Sequence, residues 1–331
     1  MRPPGHARLA VRLALLAAAG AGAAVVGSCG AASAAAGGSA PAGNTSAMPV
    51  SWSDIAALPV ARADARVAYG PDTLRQFGDL RLPPGAGTAG AGPFPVAVVL
   101  HGGCWLNQYT LDQISQPAAA LASAGIATWT IEYSRVGDPR GGWPGTFADV
   151  ARGINAVRAL AARYPLDTTR VVLVGHSAGG QLALWAAARG PLPADAPPDT
   201  PAGPTLRIRG VVSLAGIPDL ASFASPDGGC GRPIVDLLGG MPSQVPARYH
   251  AVSPAARLPI GVPVRLVYGT LDPIVPTTQS TTFAQQAAAA GDSVAVRAVP
   301  RAGHFDLIDP FVPAWVTVRQ AVQEVMPAAG R

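Results

Sequence analysis

The stretch that decides the fold is Val171-Val-Leu-Val-Gly-His-Ser-Ala-Gly-Gly180. Its first four residues are apolar and three of them are β-branched, which predicts a short buried strand. Gly175-His-Ser-Ala-Gly179 matches G-x-S-x-G, and residues 181–189 after it are strong helix formers. A strand, a glycine-flanked serine and a helix are the context in which this motif forms a nucleophile elbow, with the serine in a strained turn. The stretch therefore predicts a nucleophilic Ser177 at the carboxyl end of a strand.

Strands and helices alternate on both sides of this elbow. Strands are predicted at residues 94–100, 126–133, 210–214, 264–268 and 294–299, helices at 112–124, 146–164, 277–290 and 313–325, and an edge hairpin at 66–69 and 76–82. This alternation predicts an α/β fold with a doubly wound, mainly parallel sheet flanked by helices. The Pro-rich residues 191–204 are expected to form a surface excursion, and residues 217–250 an irregular, cap-like insertion at the edge of the sheet where active sites form.

The positive charge of the chain does not indicate a nucleic-acid partner. All 24 basic residues are Arg, and they are scattered along the sequence without forming a run. Removal of residues 1–28, which include Arg2, Arg8 and Arg12, lowers the formal net charge from +5 to +2. We therefore predict no partner from charge.

The N-terminal residues 1–28 have the pattern of an export signal. Three arginines precede an apolar stretch over residues 13–26, which is shorter and more Gly-rich than a typical membrane span. Val26-Gly-Ser-Cys29 resembles a bacterial lipobox, in which the cysteine is lipidated and becomes the new N-terminus. Cleavage after Ala32-Ser-Ala34, or an uncleaved anchor, are the alternatives. All three place the protein outside the cytoplasm: attached to a membrane through a lipid on Cys29, secreted, or held by the uncleaved N-terminal segment.

The residues after this signal divide into a linker and a folded domain. Residues 29–50 contain mainly Ala, Gly, Ser, Pro, Asn and Thr, so they are expected to form a flexible tether. Residues 51–331 are expected to form the catalytic domain.

An activated serine needs a general base, and His304 is the best candidate among five histidines. His6 lies in the export signal and His250 in a predicted loop. His176 is expected to point away from the site, although it adjoins Ser177. His304 lies between the last predicted strand and the last helix, where the chain order Ser, Asp, His of one hydrolase class puts the base.

The acid that orients this base is predicted to be Asp272. It follows the strand at residues 264–268, about 30 residues before His304. An Asp-Pro turn is the alternative role for it. Asp306 and Asp309 follow the histidine too closely for the chain order. Asp149 and Glu132 precede the serine and are expected to be structural.

When a nucleophilic Ser177 attacks a carbonyl carbon, the carbonyl oxygen becomes an oxyanion, which two backbone N–H donors typically stabilise. Leu100-His-Gly-Gly-Cys-Trp105 closes a predicted strand, and its two glycines allow the backbone to approach a substrate. The predicted donors are the N–H groups of Gly102 or Gly103 and of Ala178.

These motifs make the chain resemble an α/β-hydrolase-fold serine hydrolase over about residues 65–325. His101-Gly-Gly-Cys-Trp105 is similar to the HGGxW motif of kynurenine-formamidase-like enzymes. The chain thus resembles the esterase branch that includes these enzymes and the hormone-sensitive-lipase-like esterases. Gly141-Gly-Trp-Pro-Gly-Thr-Phe-Ala-Asp149 resembles a stretch common in bacterial members. The resemblance implies Ser177 as nucleophile, His304 as base, Asp272 as its orienter, and Gly102, Gly103 and Ala178 as oxyanion donors. An export signal disfavours the formamidase function, because tryptophan catabolism is expected inside the cell.

The implied reaction is acyl transfer from a small ester through an acyl-enzyme, without a metal or cofactor. Amide or peptide hydrolysis by the same triad, as in an arylformamidase, is the first alternative. A tethered binding protein with a vestigial triad is the second. No Cys/His spacing in the sequence resembles a metal site.

Four residues around the predicted site are candidates for substrate contact: His101, Trp105, Trp143 and Phe223. For the three aromatic residues, an ordinary place in the core is the alternative. Cys104 and Cys230 lie in segments expected to converge above the sheet. In an oxidising compartment such a pair is expected to form a disulfide.

Overall fold

An eight-stranded sheet runs through the part of the chain that the computed structural model describes, residues 48–188, 206–227 and 229–328. The strands are β1 Ala65–Ala68, β2 Phe77–Arg81, β3 Phe94–Leu100, β4 Ala127–Ile131, β5 Leu166–His176, β6 Val211–Leu214, β7 Val264–Gly269 and β8 Val294–Val299. Their order is β1-β2-β4-β3-β5-β6-β7-β8. β1 and β2 pair antiparallel at one edge, and β4, β3 and β5 to β8 are parallel. The predicted doubly wound, mainly parallel sheet is confirmed.

Helices cover both faces of this sheet. They are α1 Trp52–Ala57, α2 Ser115–Ser123, α3 Gly145–Asn155, α4 Val157–Ala161, α5 Ala178–Ala187, α6 Leu220–Phe223, α7 Gly231–Leu238, α8 Pro246–Val252, α9 Thr277–Ala289 and α10 Ala314–Val325. Apolar residues of α2 and α10 pack on one face, and those of α3, α5, α7 and α9 on the other. Side chains along β3 alternate between these two clusters, as the pleat of a strand requires. Both faces of the central strands are therefore buried.

Helix α5, which follows the elbow serine, is buried on all sides. All ten of its residues are buried, and the Trp185 ring meets that of Phe147 edge-on at 5.1 Å. A helix without an exposed face is fixed by packing around its whole circumference. The elbow therefore lies between two well-packed elements, strand β5 before it and helix α5 after it.

The segment at residues 217–250, expected to form an irregular insertion, contains helices α6 and α7 and the start of α8, separated by loops. Asp219 caps α6 by accepting hydrogen bonds from the N–H groups of Ala221 and Ser222. In α7 the buried residues Ile234, Leu237 and Leu238 lie three and four positions apart, the spacing of one helix face. The helix is only eight residues long and lies among Gly and Pro residues, so its helical spacing of apolar residues was not recognised in the sequence.

Several predictions made for the ends and loops of the chain fall outside the described residues. The export signal, Cys29, the tether up to residue 47 and the whole Pro-rich excursion at residues 191–204 are among them. Within the described ranges, no helix has both the length and the apolar character needed to cross a bilayer.

Candidate active site

Ser177 occupies a strained turn between β5 and α5. Its backbone has φ 55° and ψ −121°, an unusual conformation for a residue with a side chain. The Ser177 N–H donates to the Leu214 carbonyl at 2.8 Å. A Cβ on Gly175 would lie 2.0 Å from the Gly179 carbonyl oxygen, so the turn closes only with glycine there. The G-x-S-x-G sequence forms the predicted elbow geometry.

His304 and Asp272 form a buried hydrogen-bonded pair. His304 Nδ1 lies 2.7 Å from Asp272 Oδ2, and the two side chains are 3% and 1% exposed. The second Asp272 oxygen accepts hydrogen bonds from the N–H groups of Ile274 at 2.8 Å and Val275 at 3.0 Å. Burial raises the pKa of Asp272, but the hydrogen bond and charge of His304 and the two N–H donors outweigh it and hold this pKa below 3.8. An ionised Asp272 can thus accept a hydrogen bond from Nδ1–H of His304, which leaves Nε2 without a proton and able to accept one.

The rival acids have other partners. Asp306 Oδ2 accepts hydrogen bonds from the N–H groups of Gly303 and Val50, each at 2.9 Å, and Asp309 accepts one from Phe311. Asp149 accepts a hydrogen bond from the Gln76 amide at 2.6 Å. The structure brings Asp272 to the histidine and gives these three carboxylates structural contacts.

The loop after β3 lies directly against the elbow. A Cβ on Gly102 would lie 2.9 Å from the His176 carbonyl oxygen and 3.0 Å from the Ser177 Cβ. Gly103 has φ +102°, a left-handed conformation that favours glycine, and a Cβ there would meet the Tyr109 Cβ at 2.4 Å. Because Ala178 begins α5 next to the serine, the structure brings all three predicted oxyanion donors to one place.

Buried hydrogen bonds hold this loop from below. His101 is fully buried, with Nε2 2.8 Å from Glu132 Oε1 and Nδ1 2.8 Å from the Gly102 carbonyl oxygen. Tyr133 stacks on the His101 ring at 4.4 Å and donates its hydroxyl to the His101 carbonyl at 2.8 Å. The expectation that His101 contacts substrate was wrong, because both ring nitrogens face partners inside the protein. His101 instead supports the glycine backbone beside Ser177.

The aromatic residues proposed for the acyl pocket also lie in the core. Trp105 is fully buried and donates its indole N–H to Gln181 at 3.1 Å. The half-buried Trp143 lies 5.8 Å from the Phe147 ring and packs on the core, as does Phe223. In this structure none of the three lines the cleft around Ser177.

The cleft that contains Ser177 and His304 has a volume of about 410 Å³ and a largely apolar wall. Its remaining lining residues are Trp52, Gly103, Cys104, Leu106, Tyr109, Gln113, His176, Gly229, Cys230, Ile274 and Phe305. Three cavities of similar size lie elsewhere on the described surface, and none of the three contains a residue of the predicted triad. The volume of the Ser177 cleft suits a small organic molecule.

His176 lies in this cleft, contrary to the expectation that it points away. Its ring is 4.6 Å from that of His304, and its Nε2 donates to the His304 carbonyl at 3.1 Å. Burial, followed by the charge of His304, lowers the pKa of His176 to about 3. The loop that carries His304 lies against His176, although the two histidines are 128 positions apart in the sequence. The sequence around His176 alone did not indicate this contact. His176 is therefore a neutral donor that holds the loop of the base.

Cys104 and Cys230 are joined by a disulfide, with 5.1 Å between their Cα atoms. Cys104 directly follows Gly103, and Cys230 is the N-cap residue of α7. The bridge therefore ties the loop beside Ser177 to the helical insertion. Both cysteines line the cleft.

Sequence reasoning missed most of the apolar wall. Tyr109 and Phe305 lie close in sequence to predicted site residues, and this proximity was a usable signal. Trp52 precedes the first strand, and no motif near it indicated a site. In the described ranges, no cluster of three or more His, Cys, Asp or Glu residues is placed to hold a metal ion.

Comparisons with solved structures identify the fold. A truncated carbohydrate esterase from gut microbiota superposes with a TM-score of 0.67 at 21% identity, covering 79% of this chain and 96% of that one. A thermophilic esterase from the planctomycete Thermogutta terrifontis gives a TM-score of 0.61 at 21% identity, covering 80% and 91%. The architecture is the α/β-hydrolase fold.

Sequence comparisons identify the family. Esterase LipQ of Mycobacterium tuberculosis is 28% identical over 222 residues, which are 64% of this chain and 51% of LipQ. The match thus spans about half the length of that relative. A family model, BD-FAE, matches residues 79–287, which is more than half of this chain. The chain therefore belongs to the BD-FAE family.

Proposed function

We propose that this protein is a serine hydrolase that cleaves small carboxylic esters through an acyl-enzyme on Ser177. The observation that carries the proposal is the 2.7 Å contact between His304 Nδ1 and Asp272, since His304 lines the same cleft as the strained Ser177. The similarity to LipQ, which is named an esterase, supports ester hydrolysis. The apolar cleft of about 410 Å³ supports a small substrate.

The reaction follows from the roles of the three side chains. Ser177 Oγ attacks the ester carbonyl carbon while its proton passes to His304 Nε2, and Asp272 stabilises the imidazolium that results. Backbone N–H groups of Gly102 or Gly103 and of Ala178 stabilise the oxyanion. The C–O bond to the alcohol then breaks, and the alcohol leaves with the proton from Nε2. Water, deprotonated by the same nitrogen, then attacks the acyl carbon. The C–O bond to Ser177 Oγ breaks, the proton passes from His304 Nε2 back to Oγ, and the carboxylic acid is released.

The test is hydrolysis of p-nitrophenyl esters with acyl chains from C2 to C12, beside N-formylkynurenine, by the full chain and its Ser177→Ala variant. Ester hydrolysis that disappears in the variant is the expected result. Faster hydrolysis of N-formylkynurenine would replace the proposal with an amide hydrolase. A folded protein inactive on every substrate would favour a binding function with a vestigial triad.

We further propose that the protein acts outside the cytoplasm, attached through a lipid on Cys29. The support is the lipobox-like sequence at residues 26–29 and the disulfide between Cys104 and Cys230, since such bridges persist in oxidising compartments. In a bacterial host, the chain should appear in the membrane fraction and incorporate labelled fatty acid.

The variant Cys29→Ala should lose the label. A Cys29→Ala protein that stays membrane-bound would indicate an uncleaved anchor. Release of the unmodified wild-type chain into the medium would indicate ordinary secretion.

A further inference from the structure

We propose that helix α1 completes the active site and that Trp52 determines which esters the cleft accepts, by contacting an apolar group of the substrate. The inference rests on the proposed ester hydrolysis and adds a specificity-determining residue to it. Helix α1 lies before residues 79–287, the part of the chain that the family model matches. The contribution therefore comes from a segment outside the matched part of the chain.

Trp52 bridges the two sides of the cleft. Its ring meets the Tyr109 ring edge-on at 5.1 Å and lies 5.8 Å from the Phe305 ring. Tyr109 packs against Gly103, beside the serine, and Phe305 directly follows the base His304. Trp52 thus closes the wall between the loop of the oxyanion donors and the loop of the base.

The segment around Trp52 is fixed to the loop of the base. One oxygen of Asp306 accepts hydrogen bonds from the N–H groups of both Val50 and Gly303, each at 2.9 Å. Ser51 and Asp54 form a capping box at the start of α1, and Ile55 is buried in the core. Because these contacts fix the backbone on both sides of Trp52, its ring is a defined part of the wall.

Trp52 also retains surface for a ligand. It is 37% exposed, and the wall of the same cleft includes the apolar side chains of Leu106, Ile274 and Phe305. A partly exposed aromatic ring in an apolar cleft gains free energy when a ligand covers it. The expected substrates are esters with an apolar acyl or alcohol group long enough to reach this ring.

The experiment uses the full chain and measures kcat and KM for two ester series by titration of the released acid. One series lengthens the acyl group from methyl acetate to methyl hexanoate, and the other lengthens the alcohol from methyl to hexyl acetate. Trp52→Ala should raise KM for the longer members of at least one series about fourfold for each methylene that loses its contact. Methyl acetate, which is too short to reach the ring, should keep its kcat/KM within about twofold.

Two variants serve as controls. Trp52→Phe keeps an aromatic ring and should restore most of the preference for long esters. Val60→Ala removes an exposed apolar side chain that does not line the cleft and should leave both series unchanged. These variants separate contact with the substrate from a general effect on the N-terminal segment.

An equal loss of kcat for all esters in Trp52→Ala would overturn the inference, because it would indicate a merely structural role. Improved hydrolysis of long esters would also overturn it, because Trp52 would then act as a barrier. Failure of the proposed function looks different: wild-type enzyme would hydrolyse no ester, or Ser177→Ala would hydrolyse them equally well.

Discussion

At the scale of single residues, Asp272 carries a charge although its side chain is almost fully buried. Burial alone would favour the neutral acid. The hydrogen bond and charge of His304 and the N–H groups of Ile274 and Val275 compensate for the lost water and lower its pKa. The same contacts fix the orientation of the carboxylate, so Asp272 can hold His304 in one tautomer.

Replacement of Asp272 by Asn should therefore lower kcat about 10³- to 10⁴-fold, because an amide oxygen lacks the charge that stabilises the imidazolium and an amide N–H favours the wrong tautomer. Stopped-flow hydrolysis of p-nitrophenyl acetate measures this loss. Asp309→Asn is the matched control, since the Asp309 carboxylate accepts a hydrogen bond from the Phe311 N–H and lies outside the wall of the cleft. Full activity in Asp272→Asn would remove Asp272 from the mechanism.

The candidate triad was predictable because its residues follow strands in a fixed chain order. Ser177, Asp272 and His304 each come just after a segment whose apolar pattern marks a strand, and parallel strands bring such positions to one edge. The prediction for His101 was wrong because the sequence around it is the same whether its ring faces substrate or a buried carboxylate such as that of Glu132. Trp52 was not predictable, since its place depends on how the chain enters the fold.

At the scale of elements, the loop at residues 101–105 is held at both ends. The buried pair of His101 and Glu132 fixes its start, and the disulfide from Cys104 to Cys230 fixes the position after Gly103. The bridge joins residues 126 positions apart. It should therefore restrict the unfolded chain as well as the loop.

Removal of the bridge in a Cys104→Ala/Cys230→Ala variant should lower kcat about tenfold or more, because a loosened loop weakens the oxyanion donors. The free energy of unfolding should fall by about 2–4 kcal/mol. Activity assays and urea denaturation measure the two effects. Thiol-labelling of both cysteines in the unreduced wild-type protein would contradict the premise.

The strands were more predictable than the helices of the insertion. An uninterrupted apolar run, such as residues 96–100, is typical of a strand in the middle of a parallel sheet, where both faces are buried. Helices α6 and α7 are short and lie among Gly and Pro residues, so their stability comes from packing on the core instead of local propensity.

At the scale of the whole molecule, a buried carboxylate links the stability of the fold to pH. Burial raises the pKa of Glu132. The charge and hydrogen bond of His101, and then the charge of Arg135, lower this pKa by more, so that it lies below 4.5. A carboxyl group with a lowered pKa in the folded state stabilises the fold at pH values above 4.5. That contribution is lost as the pH falls through the lowered pKa.

The Glu132→Gln variant should lose about 3–5 kcal/mol of unfolding free energy at neutral pH, since it leaves buried partners without their counter-charge. Its stability should also depend less on pH as the pH falls from neutral into the acid range below 4.5. Glu324→Gln, at a partly exposed site beside Arg265 and Arg297, should cost about 1 kcal/mol or less. Urea denaturation at several pH values measures both variants. Equal effects of the two substitutions would show that the Glu132 cluster is not a special source of acid sensitivity.

Labelling of the full chain with a fluorophosphonate, followed by peptide mass spectrometry of the adduct, tests whether Ser177 is the nucleophile. We expect one adduct, on Ser177, with loss of ester hydrolysis in proportion to labelling. Ester hydrolysis that persists while Ser177 is fully modified, or an inactivating adduct on another residue, would contradict it.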